Sequence, residues 1–107
     1  MKDTLNNHLR EKILKALLDV AILARLEHKT MSGYEITKVF MKKFTAETST
    51  STVYSTLYAM ERDGLVKGKY SRRSRVYELT EEGKETLRNT RNKLHEIQAF
   101  IKTLIGN

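Results

Sequence analysis

The side chains best suited to chemistry in this chain stand between residues 49 and 75, and what they suit is hydrogen bonding and charge neutralisation rather than bond breaking. The stretch STSTVYSTLYAMERDG carries short hydroxyls, two phenols and a guanidinium, and it runs straight into LVKGKY, SRRS and RVYEL. At the 100° step of a helix, Ser51, Ser55, Tyr58 and Arg62 fall within about 60° of one another, with Tyr54 at the flank. Such a face, with Ser49 and Thr52 at the helix start, can meet base edges or phosphates in a DNA groove. Downstream, Lys67, Lys69, Arg72, Arg73 and Arg75 place five positive charges within nine residues, a cluster able to neutralise backbone phosphates. Arg72 and Arg73, at the turn itself, suit a minor groove or the flanking backbone. Lys38 and Lys42 would add affinity without sequence preference.

Competing roles exist for several of these residues. Short hydroxyls discriminate bases poorly, so Ser51, Thr52 and Ser55 fit helix capping or a plain helix surface as well. A phenol such as Tyr34 or Tyr54 can also close the core with a wet tip. Catalytic patterns are absent. His8, His28 and His95 have no ligand-spaced partner, and the glycines at 33, 64, 68, 83 and 106 form no phosphate loop. Glu81 and Glu82 belong to a helix dipole rather than to an acid/base pair. The expectation is a protein that is not an enzyme and needs no metal or cofactor.

Composition sets the frame. The chain has 107 residues, 39% of them apolar, enough for one domain with a modest core. Twenty Lys+Arg against 13 Asp+Glu give a net charge of +7. This excess favours polyanions, although a merely solvated surface has the same charge. Without cysteine, disulfides and thiolate chemistry are excluded. The N-terminal stretch MKDTLNNHLREK is too polar for a secretory signal, and VAILA at 20 to 24 is too short to span a bilayer. A cytoplasmic protein without a membrane partner is expected. No proline and no low-complexity segment interrupts the chain, so connections should be short.

Elements follow from periodicity. A first helix is predicted over about 5–27, with Leu9, Ile13, Leu17, Val20, Ala21 and Ala24 at three- and four-residue steps. After residue 17 it is apolar nearly all round, which calls for cover on several faces, a second copy of the chain being the expected cover. Ala16, Ala21 and Ala24 fit close helix packing; a pocket for a small-molecule effector is possible there but unsupported. Ser32 and Glu35 have capping-box spacing and open a second helix, about 32–44, with Ile36, Val39 and Phe40 inward. A third helix, about 49–63, should be capped by Thr48, Ser49 or Thr50, bury Val53, Leu57 and Met60, and stop at Gly64. Residues 65–79 read as a two-stranded wing around SRRS, which lacks the Asn-Gly of a strong hairpin turn. Thr80 caps a last helix, about 81–105. There Leu87, Leu94 and Ile101, interleaved with Ile97 and Leu104, form a heptad seam for a partner helix.

MSGYEITKVF, then VYSTLYAMERDGLV, then RVYELTEEGKETL resemble the PadR-like transcriptional regulators over about residues 10 to 88. Where members of that family carry Tyr-Pro, this chain has Tyr54-Ser55, and its wing reads SRRSR in place of the usual Gly-Arg pair. The resemblance implies a winged helix-turn-helix, dimerised through its first and last helices and acting as a repressor in most members. It also implies that Tyr34 and Tyr54, which match the family's motif tyrosines, hydrogen-bond phosphates.

Residues and resemblance together lead to one expectation. It is a single domain, mainly α with a small β-hairpin, forming a homodimer through Leu9, Ile13, Leu17, Leu87, Leu94, Ile97, Ile101 and Leu104. The dimer is expected to bind double-stranded DNA at a pseudo-palindromic operator as a transcriptional regulator. A non-specific architectural DNA-binding protein and a winged-helix protein-interaction module are the alternatives.

Overall fold

Among the described residues, four of the five helices begin at a side-chain oxygen that the chain supplies locally. In the computed structural model, which describes residues 5–106, α1 is Asn7–Leu26, β1 Met31–Ser32, α2 Gly33–Phe44, α3 Thr50–Arg62, β2 Val66–Ser71, β3 Ser74–Leu79, α4 Glu81–Asn92 and α5 Leu94–Ile105. The first four residues of the polar N-terminal stretch lie outside the described residues. Asn6 Oδ1 accepts from Leu9 N–H at 2.8 Å, Ser32 Oγ from Glu35 N–H at 3.0 Å, Ser49 Oγ from Thr52 N–H at 3.2 Å, and Thr80 Oγ1 from Gly83 N–H at 3.0 Å. Each satisfies one of the N–H groups that a helix start leaves without an internal partner. At α2 the box is complete, because Ser32 N–H donates to Glu35 Oε1 at 2.9 Å.

Helix α3 ends as its sequence predicts. Gly64 takes φ 83°, while Gly64 N–H bonds Glu61 O and Leu65 N–H bonds Met60 O, the paired bonds of a Schellman cap. The chain then turns directly into β2.

The sheet is larger than the expected hairpin. Met31 and Ser32 pair antiparallel with Tyr77 and Val76, which makes a three-stranded sheet in the order β1-β3-β2. The added strand is only two residues long, below the length at which period-two patterning shows in a sequence. It secures the root of the wing to the start of α2.

One core holds these layers together. Leu18, Ile22, Leu23 and Leu26 of α1 pack with Ile36 and Phe40 of α2, Val53, Leu57 and Met60 of α3, and Val66 and Tyr77 of the sheet. Burying an aliphatic side chain as completely as Ile22 or Leu23 contributes roughly 1.5–3 kcal/mol. The apolar circumference of α1 beyond residue 17 is therefore largely covered from within the chain, not by a second copy as the sequence suggests. What stays exposed on α1 is its earlier stripe: Leu9, Ile13 and Leu17.

The single helix expected over 81–105 is two. Lys93, at φ −113° and ψ 20°, separates α4 from α5, and its N–H bonds Thr90 O three residues back. Asn89, Thr90 and Asn92 supply the reason. Asn and Thr are weak helix formers whose side chains compete for backbone groups, and Thr90 Oγ1 donates to Thr86 O at 2.8 Å, a back-bond that bends helices. The heptad seam breaks there. Leu87 lies buried in the chain's own core, so its expected role in dimerisation is replaced by packing against α1 and the sheet. Leu94, Ile101 and Leu104 stay exposed on α5, which buries no residue at all.

Candidate nucleic-acid interface

Helix α3 divides by its periodicity into two faces. Val53, Leu57 and Met60 are buried, while Ser51, Ser55, Tyr58 and Arg62 are exposed. The hydroxyls near its start are partly engaged with one another: Ser49 Oγ lies 2.8 Å from Thr52 Oγ1 and 3.3 Å from Ser51 Oγ, and Ser55 Oγ donates to Thr52 O at 3.1 Å. Ser49 is the cap and Thr52 is half-buried beside it, which leaves Ser51, Ser55, Tyr58 and Arg62 as the outward polar surface. Tyr54 is half-buried. Its ring stands 6.0 Å from that of Tyr58, and its Cε1 would be 2.9 Å from a Cβ on Gly33, so this phenol is wedged between α3 and the start of α2.

The wing turns tightly on arginine. Ser71 pairs with Ser74, leaving Arg72 and Arg73 as a two-residue loop with φ 51° and 71°. Positive φ at both central residues is the type I′ pattern, whose twist matches that of the flanking strands, and Asn-Gly satisfies it at least cost. Both arginine side chains are exposed at the tip.

Other wing cations are engaged within the chain. Lys69 Nζ lies 3.0 Å from Glu78 Oε1, and this cation holds the Glu78 carboxyl below its ordinary range. Arg75 Nη2 bonds Glu61 Oε2 on α3, and its guanidinium lies 5.5 Å from the Tyr70 ring centre and 5.8 Å from that of Tyr77. Lys67 is exposed on the same face as Lys69.

Helix α2 presents a third basic patch. Tyr34, 65% exposed, stands with its ring 5.7 Å from Lys38 Nζ, and Lys42 follows one turn later on the same face. The structure adds two cations that no sequence motif singles out. Arg25 and Lys29 line, with Tyr34, Lys38 and Lys42, a groove of about 590 Å³ between the end of α1 and α2. Their four-residue spacing is legible in the sequence, but only folding brings the end of α1 beside α2. Glu35, also in the groove, has its carboxyl held below the ordinary value of 4.5, first by the Ser32 N–H and then by the charge of Lys29.

Two further surfaces are apolar. Leu9, Ile13 and Leu17 stand 42–43% exposed at four-residue steps on α1, and Leu94, Phe100, Ile101, Leu104 and Ile105 are exposed on α5, with Ile97 half-buried. Among the described residues no group of three or more His, Cys, Asp or Glu is placed to hold a metal ion, and no helix is long and apolar enough to cross a membrane.

The profile described as "Transcriptional regulator PadR-like family" matches residues 22–89. Among solved structures, a PadR family transcription regulator from Clostridium difficile is similar at 29% identity with a TM-score of 0.70, over 82% of this chain and 97% of that one. A putative transcriptional regulator from Thermoplasma acidophilum shares 27% identity with a TM-score of 0.70, over 90% and 97% of the two chains. Bacillus subtilis PadR in complex with operator DNA is similar at 26% identity with a TM-score of 0.59, over 68% of this chain and 45% of that one. No curated protein matches in sequence.

Proposed function

The chain belongs to the PadR-like family of transcriptional regulators, and on that premise we propose that it binds double-stranded DNA as a homodimer and represses transcription in the cytoplasm. The single observation that carries the reading is the division of α3, whose apolar side is fully used by the core while Ser51, Ser55, Tyr58 and Arg62 face outward. A polar helix face with no cover from its own chain, next to a wing tipped by two arginines, suits a major groove and the phosphates beside it.

Roles divide by chemistry. Ser51, Ser55, Tyr58 and Arg62 read or brace the groove, with Thr52 and Ser49 fixing the helix start. Arg72 and Arg73 reach the minor groove or its rim, while Lys67, Lys38, Lys42 and Tyr34 bind phosphates, joined by Arg25 and Lys29. Tyr54 is held by Gly33 at the seam of α2 and α3, where its hydroxyl can reach the backbone. The B. subtilis structure with operator DNA supports the reading by fold and family.

The homodimer proposal rests on the two open apolar stripes. Leu9, Ile13 and Leu17 on α1 and Leu94, Ile97, Ile101 and Leu104 on α5 lie outside the chain's core, and a second copy would cover both. Two recognition helices about 34–36 Å apart then call for a pseudo-palindromic operator, and occupancy of a promoter blocks polymerase.

Selection of duplexes from a randomised library by the purified protein tests this. The expected result is an enriched sequence with two-fold related halves, bound about a thousandfold tighter than a scrambled duplex. Recovery of unenriched sequences with strong salt-sensitive binding would instead mark a DNA-coating protein, and no binding at moderate salt would mark a protein-interaction module.

A further inference from the structure

The strand register sorts the wing residues onto two faces. Across β2 and β3, Val66 pairs with Leu79, Gly68 with Tyr77 and Tyr70 with Arg75, and directly opposed residues share a face. Val66 and Tyr77 are buried in the core, so Arg75 projects from the inner face, toward α3. There its guanidinium meets Glu61 and lies near the rings of Tyr70 and Tyr77. The wing is shaped to receive it: a Cβ on Gly68 would lie 2.7 Å from Arg75 Nε and 2.9 Å from Cζ. Any larger residue at 68 would push the guanidinium off the strand.

From this geometry we infer that Arg75 is a positioning residue and does not itself touch DNA: bound to Glu61 and flanked by Tyr70 and Tyr77, it fixes the wing tip relative to α3. The inference rests on the DNA-binding reading given above. Arginine is the residue for the task, since its planar fork can bond a carboxylate edge-on while its faces meet aromatic rings, which a lysine cannot do. Without that tie, Arg72 and Arg73 would swing about the hairpin root while Ser51 and Ser55 stayed fixed on their helix. The two halves of the interface would lose their common register.

Removal of Glu61 separates the two roles by sign. If Arg75 bound phosphate, Glu61→Gln would free a cation, remove an acid from the interface and tighten binding. As a positioning partner, Glu61→Gln should weaken binding to the duplex selected by the wild-type protein by about threefold to tenfold. Arg75→Lys, which keeps the charge, should do the same and leave the salt dependence unchanged, whereas Arg72→Leu lowers its slope by about one. The chain has no cysteine, so nitroxides on Thr50→Cys and Ser71→Cys, diluted into excess unlabelled chain, report the distance from α3 to the wing tip without DNA. A narrow distribution that broadens in both Glu61→Gln and Arg75→Lys is expected. Tighter binding by Glu61→Gln, or an unchanged distribution in both variants, would overturn the inference. If the wild-type protein selects no duplex, the DNA-binding reading fails, and the distance measurement still decides whether the pair sets the wing.

Discussion

Gly33 and Tyr54 touch across the seam between α2 and α3: a Cβ on Gly33 would come within 2.9 Å of Tyr54 Cε1. The first residue of α2 thus dictates where a phenol of α3 stands. Gly33→Ala should move the Tyr54 ring outward at little expense to folding, because the atom in the way belongs to a side chain that can turn, not to backbone. Affinity for a selected duplex is expected to fall while the unfolding midpoint barely moves. A drop in both in proportion would show that the seam serves stability alone.

The opposite balance is expected at Gly83. A Cβ there would stand 2.1 Å from Leu65 O, a backbone atom fixed by the Schellman cap and by the Thr80 N–H bond. Gly83→Ala therefore forces α4 away from the end of α3, at a cost of about 1–3 kcal/mol or more. Chemical denaturation should show a lowered midpoint; an unchanged one would mean that α4 can shift freely.

At the wing tip, stability and binding should part company. Arg72 and Arg73 both occupy the left-handed region, which costs a residue with a side chain roughly 1–2 kcal/mol. Replacing them by Asn-Gly should raise stability by about 1 kcal/mol or more while it lowers the salt slope of DNA binding by about 0.9 for each phosphate left without its cation. Titration across salt concentrations, beside thermal unfolding, measures both. A stabilised variant with undiminished slope would remove the tip from the interface.

The oligomer prediction separates two apolar positions that look alike in sequence. Ile101 is exposed on α5 and Leu87 is buried against α1. Ile101→Glu should leave a folded protein sedimenting near the 12.4 kDa of one chain, with operator affinity sharply reduced. Leu87→Ala should instead lower stability by about 2–5 kcal/mol through a cavity. Sedimentation equilibrium at several concentrations distinguishes them, and a dimeric Ile101→Glu variant would place the dimer interface elsewhere.

Acid should act through the capping box. The Glu35 carboxyl sits below 4.5 in the folded chain, chiefly because the Ser32 N–H bonds its charged form. A lowered folded value means a contribution present above about 4.5 and lost as pH falls through the folded value. The gap in denaturation midpoint between the wild type and Glu35→Gln should thus narrow as pH falls below about 4.5. A gap that stays constant with pH would assign the effect to side-chain shape rather than charge.

Local chemistry made much of this protein legible in its residues. The capping box of Ser32 and Glu35, the stop at Gly64 and the buried stripe of Val53, Leu57 and Met60 all depend on neighbours within a few positions. Spacing alone therefore specifies them. Tertiary structure decided the rest, because charge and apolarity say what a side chain needs but not which distant group will meet it. Only folding brings Glu61 to Arg75, Arg25 and Lys29 to the Tyr34 groove, and Met31 to Tyr77. It also sends Leu87 inward while Ile101, two heptads along, faces out: the break at Lys93 divides one apolar repeat into a buried part and an exposed part.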